Sequence, residues 1–134
     1  MALHEWARPA DPRPAVAVVI LHGGLDAAVA ADLRAGLPSC SELPVLPLED
    51  AAALHEDWAA RGPHSRAASV LSRLGSDCLL LVVEPEGTQA LEWLGSVAGQ
   101  RLLHFTAGAG TPSRELIARL QQLRRERLLA VLPL

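Results

Sequence analysis

Lysine, asparagine and tyrosine are missing from this 134-residue sequence, and all 12 of its basic residues are arginine. Without lysine the chain cannot contain a nucleotide-binding P-loop, because the G-x-x-x-x-G-K-[ST] pattern requires one. The net charge of -3 gives no long-range attraction to phosphate backbones, so we expect no general nucleic-acid binding. The excess of Ala, Leu, Gly and Pro suggests a GC-rich coding sequence, which favours a bacterial origin.

Long apolar runs and paired cysteines are also lacking. No apolar stretch approaches the roughly 18 residues that a membrane helix needs. The first six residues do not have the pattern of a signal peptide, so we expect a cytoplasmic protein without membrane contact. Cys40 and Cys78 lie far apart, without CxxC spacing, which predicts reduced structural thiols and no metal site.

The composition that remains is typical of one folded domain. Half of the residues are hydrophobic and 20% are charged, a balance that excludes general disorder. Prolines at positions 9, 12 and 14 disfavour regular structure near the start. We therefore predict a proline-rich arm over residues 1–14 and a single domain over residues 15–134.

Strand and helix patterns alternate along that domain. Apolar runs at 15–21 and 78–83 have the character of strands buried on both faces, and the segments 45–48 and 101–106 predict two more strands. Helices are predicted after the caps Asp26, Asp50, Ser65, Thr88 and Thr111. The alternation indicates a three-layer α/β fold with a mostly parallel sheet of four or five strands, in the flavodoxin-like order 2-1-3-4(-5). The apolar residues 128–134 fit a fifth edge strand or an extension that packs on the domain or on a second subunit, which would make a homodimer.

Ligands of open α/β sheets bind beyond the carboxyl ends of the strands, where the strand order reverses. In the predicted order this point lies between the first and third strands. Three segments that follow strands then converge, and they define the candidate site. Its catalytic candidates are His22, Glu84 and Glu86, and its ligand-binding candidates are Gly23, Gly24, Thr106, Gly108 and Gly110.

Each candidate also has a structural interpretation. An imidazole titrates near neutral pH, so His22 beside two glycines suits a general base, a phosphoryl acceptor or a ligand contact. It equally suits a loop histidine that only bonds locally. Glu84 and Glu86 are either an acid pair or solvated residues near a helix N-terminus, which favours negative charge.

Two short motifs resemble known families. Leu21-His22-Gly23-Gly24 is similar to the oxyanion loop of α/β-hydrolases, but the chain has no G-x-S-x-G elbow, which excludes that activity. His22-Gly23 resembles the phosphoryl-accepting site of mannose-type phosphotransferase-system IIA domains. That resemblance implies phosphoryl transfer through His22, although residues 84–87 depart from the family's Gly-Gly-Ser-Pro-like loop.

These observations leave two hypotheses of different class. The first is a non-catalytic binding or regulatory module whose partner is a small anionic ligand or a protein. The second is a small enzyme or phosphoryl-transfer domain that uses His22 with Glu84 or Glu86. The sequence names no cofactor.

Overall fold

The computed structural model describes residues 16–37, 45–108, 110 and 112–131. The predicted arm at 1–14, Cys40 and Thr111 lie outside these residues. Four strands, five α-helices and one 3-10 turn make up the described part of the chain. In chain order they are β1 (Ala17–His22), α1 (Ala27–Gly36), β2 (Val45–Leu48), α2 (Ala51–Arg61), the 3-10 turn (Gly62–His64), α3 (Arg66–Leu74), β3 (Leu79–Glu84), α4 (Leu94–Val97), β4 (Leu102–Thr106) and α5 (Ser113–Val131).

The strands form one parallel sheet in the order β2-β1-β3-β4, which confirms the predicted flavodoxin-like order. The chain passes from β1 to β2 on one side and then crosses to β3 on the other. Leu21 of β1 pairs with Val83 of β3, so His22 and Glu84, one residue further on, lie level at the carboxyl end. The reversal of strand order therefore falls between these two residues.

Helices cover both faces of the sheet, which explains why its central strands are apolar throughout. Even-numbered residues of β1 and β3 pack against α2, α3 and α4. Odd-numbered residues pack against α1 and α5. Leu80 and Leu81 point to opposite faces and both are fully buried. Burial of each such leucine stabilises the fold by about 2 kcal/mol.

The segment after β3 differs from its prediction. A helix is predicted after the cap Thr88, but in this segment only Leu94–Val97 is helical. Thr88 instead closes a turn through its N–H, which donates to the Pro85 carbonyl at 3.0 Å. The N–H groups of Ala90 and Leu91 donate to the Glu84 carboxylate, so a side chain takes the place of the expected first helical turn.

The apolar end of the chain continues a helix. Residues 128–131 belong to α5, so they do not form a fifth strand, and residues 132–134 lie outside the described part. The side chain of Leu129 is 70% exposed. A homodimer through this end stays a prediction.

None of the helices in the described part of the chain combines the length and apolar character needed to cross a membrane.

Candidate functional site

The segments that follow β1, β3 and β4 lie side by side at the carboxyl end of the sheet. A methyl group added to Gly24 would lie 3.5 Å from Cγ of Pro85. A methyl group added to Gly108 would lie 3.4 Å from Cδ of Glu86. The structure thus brings together the three segments that the fold rule selects.

His22 is the last residue of β1, and its ring is bound by the turn that follows it. The backbone N–H of Gly24 donates to Nδ1 of His22 at 2.8 Å. The His22 carbonyl accepts from Leu25 N–H at 3.2 Å, which closes the turn. Because Nδ1 is an acceptor, the neutral ring carries its proton on Nε2. His22 is half-buried, so the ring is partly open to solvent.

Gly23 allows two segments of backbone to approach closely. Its N–H donates to the Leu48 carbonyl at 2.7 Å, across from β1 to the end of β2. A Cβ at this position would lie 2.6 Å from the carbonyl oxygen of Glu49 and 2.7 Å from its Cα. Real side chains do not fit at such distances, so the glycine at position 23 is required by packing.

Glu84 is fully buried as the last residue of β3, and it does not stand in the loop where the sequence placed it. Its Oε2 accepts from Ala90 N–H at 2.8 Å and its Oε1 accepts from Leu91 N–H at 3.1 Å. A carboxylate in this position fixes the path of the chain from β3 to α4. Through these bonds Glu84 stabilises the segment between β3 and α4.

His104 is the partner of Glu84 that sequence reasoning missed. Its Nε2 lies 3.3 Å from Oε1 of Glu84, at ion-pair distance but outside hydrogen-bond geometry. The side chain of His104 keeps 17% exposure. In the parallel register His104 lies opposite Val82, and alternate residues of a strand share a face, so residues 82, 84 and 104 lie on the same face of the sheet. This alternation is the sequence feature that could have identified His104.

Most of the remaining candidates are exposed to solvent. Glu86 and Thr106 are exposed, and Gly108 is half-buried beside Glu86. Gly110 is exposed, and a Cβ there would meet nothing within 4 Å. These residues form a surface that a partner can reach.

Aspartates already occupy two helix N-termini at this end. Asp26 accepts from the N–H groups of Ala28 and Val29, at 3.0 and 3.3 Å. Asp50 accepts from Ala53 N–H at 2.9 Å. The N-terminus of a helix carries partial positive charge and attracts anions. In α1 and α2 the carboxylate of the capping aspartate already takes that position.

The described residues include no group of three or more metal-binding side chains. Cys78 precedes β3 at the other end of the sheet and is a free thiol. Burial raises the pKa of this thiol from 9.0 to about 12, although the nearby Arg127 acts in the opposite direction. Cys78 therefore stays protonated near neutral pH and is a poor nucleophile.

No known protein-family model matches this chain, and no curated protein does so either.

Proposed function

We propose that this chain is a non-catalytic binding or regulatory module whose partner contacts the segments after β1, β3 and β4. The observation that carries the proposal is the hydrogen bond from Gly24 N–H to Nδ1 of His22. It favours the tautomer with the proton on Nε2, which then has no free lone pair. In that form Nε2 neither accepts a proton nor attacks phosphorus. It offers a partner an N–H donor.

The position of Glu84 supports the same proposal. A general base must lie within hydrogen-bond reach of a substrate proton. Glu84 has no exposed surface, and its oxygens accept from two backbone N–H groups beside His104. It supports the site without contacting a partner.

The charges at this end favour a protein over a small anion. Two helix N-termini have their own aspartate caps. Glu49 and Glu86 are exposed at the same end, while Arg114 in the first turn of α5 adds one positive charge. Exposed glycines and a half-buried histidine suit hydrogen bonding to a polypeptide backbone.

The tautomer of His22 is the first test. In long-range ¹H–¹⁵N correlation spectra at a pH where the ring is neutral, we expect the proton on Nε2. Gly24→Pro removes the backbone donor, so this preference should weaken. Gly24→Ala is the matched control, because it also places a Cβ 3.1 Å from Nδ1 of His22 but keeps the N–H, and it should retain the preference. A wild-type ring with its proton on Nδ1 would overturn the proposal.

A second test addresses the alternative, an enzyme or phosphoryl-transfer domain that uses His22. The protein is incubated with acetyl phosphate and with p-nitrophenyl phosphate, and intact mass and released nitrophenol are recorded. We expect neither a phosphoryl adduct nor turnover above the level of His22→Ala. An adduct or turnover that His22→Ala abolishes would establish the alternative. Amide shifts confined to the three segments on addition of inorganic phosphate would instead favour a small anion.

A further inference from the structure

The outer edge of β4 has main-chain groups that no described strand pairs. Leu80 N–H donates to the Arg101 carbonyl at 2.8 Å, and Ala107 N–H donates to the Glu84 carbonyl at 3.0 Å. These two bonds mean that the odd-numbered residues of β4 face β3. The N–H and C=O groups of the even-numbered residues therefore point away from the sheet. These residues are Leu102, His104 and Thr106.

The two edges of the sheet differ in how they resist pairing. β2 contains Pro47, which has no N–H to donate to a further strand. β4 contains no proline, and its side chains from Leu102 to Phe105 are half-buried. Leu103 and Phe105 pack only partly on the core that α1 and α5 cover. An edge strand whose main-chain groups no described strand pairs is a template for another strand.

We propose that β4 pairs with β4 of a second copy of this chain, antiparallel, around a two-fold axis at His104. A two-fold axis requires the antiparallel direction, because each strand must present the same groups to the other. Full overlap of the five residues places Leu102 opposite Thr106 of the second copy. It places Leu103 opposite Phe105 of the second copy, at a position without hydrogen bonds where side chains lie closest. The two sheets become one sheet of eight strands.

Charge complementarity supports this partner and this register. Arg101 lies opposite Ala107 of the second copy when His104 lies on the axis. Glu86 of that copy stands beside its Gly108, with Cδ 3.4 Å from the position of a Cβ there. Arg101 and Glu86 are both exposed. The two-fold axis brings each arginine toward the glutamate of the other copy, so the dimer contains two such pairs.

Charge reversal at these two residues tests the proposal. Sedimentation equilibrium and light scattering give the dimer dissociation constant for the wild type, Arg101→Glu, Glu86→Arg and the double variant. We expect a wild-type dimer, a rise in Kd of about tenfold in each single variant, and recovery in the double variant. Arg119→Glu makes the same change of charge on the exposed side of α5 and should leave Kd unchanged. Circular dichroism confirms that each variant is folded.

A wild-type protein that stays monomeric from micromolar to millimolar concentration would overturn the proposal. So would a double variant as weak as the single ones. If Arg101→Glu leaves Kd unchanged while Leu129→Ser dissociates the dimer, the contact lies at the end of α5 and not at β4. As an independent check, Phe105→Lys places an ammonium at the centre of the proposed interface and should raise Kd more than either charge reversal.

Discussion

Polar side chains have opposite hydrogen-bonding roles at the two ends of the parallel sheet. At the amino end, side chains donate to main-chain carbonyls. Nε2 of Gln100 bonds Leu71 O at 2.9 Å and Gly75 O at 2.7 Å, and Nε of Arg127 bonds Asp77 O at 2.9 Å. At the carboxyl end, side chains accept from main-chain N–H groups, as those of Asp26, Asp50, Glu84 and His22 do.

The direction of the strands explains this difference. In a parallel α/β fold the chain leaves each strand at the carboxyl end and returns at the amino end. The first helix after a strand therefore begins at the carboxyl end with spare N–H groups, and the last helix before a strand ends at the amino end with spare carbonyls. Acceptors are needed where helices begin and donors where they end. The candidate site lies at the end that is rich in N–H groups.

The largest effect should come from Glu84, whose carboxylate is the buried acceptor at the carboxyl end. Glu84→Ala leaves the N–H groups of Ala90 and Leu91 without acceptors and opens a cavity beside His104. We expect the free energy of unfolding to fall by about 3 kcal/mol, measured by urea denaturation.

Two control variants sharpen this prediction. Glu84→Gln keeps one amide oxygen as an acceptor and should destabilise the protein by about half as much. Glu86→Ala changes an exposed carboxylate of the same segment and should stay within about 0.5 kcal/mol of the wild type. Equal effects for positions 84 and 86 would show that the buried carboxylate does not stabilise the segment.

The next effect should come from the close approach between β1 and the residue after β2. Gly23→Ala places a methyl group 2.6 Å from the Glu49 carbonyl oxygen, and main-chain atoms must move to accept it. We expect a loss of about 2 kcal/mol in the free energy of unfolding. Gly110→Ala is the control, because a Cβ there meets nothing within 4 Å and should change stability by less than about 0.5 kcal/mol. If both alanines are tolerated alike, the contact with Glu49 does not restrict position 23.

The sequence predicts the architecture well because the signals are local. Runs such as 78–83 are apolar on both faces, and Asp26 and Asp50 stand where helices begin, so the order of elements follows without tertiary information. The prediction of a helix directly after Thr88 was wrong because a contact with a residue of another element decides the structure of this turn. The acceptor for that turn is the carboxylate of Glu84, a residue of the preceding strand.

The site is less accessible to sequence reasoning. The fold rule selects the three segments, but it does not say which side chains face solvent. Glu84 and Glu86 are two residues apart, on either side of Pro85, and only the structure shows that one is buried and the other exposed. His104 can be identified as a partner of Glu84 only when β3 and β4 are known to be parallel neighbours.

The smallest of the three effects concerns the amino end, where Cys78 is buried just before β3. Burial raises the pKa of its thiol from 9.0 to about 12. The unfolded chain therefore ionises at lower pH than the folded protein, so the contribution of the protonated thiol is complete below pH 9 and is lost as pH rises toward 12. Between pH 8 and pH 10 this loss should reach about 1.4 kcal/mol in the free energy of unfolding.

Cys78→Ala isolates that loss, because it removes the thiol while Cys40 stays in both proteins. The alanine variant has a lower starting stability, so the quantity to compare is the change between the two pH values. We expect a steeper decline for the wild type in urea denaturation at pH 8, 9 and 10. Parallel declines would mean that the thiol ionises as readily in the folded protein as in the unfolded chain. Burial at the amino end would then not shield this thiol from solvent.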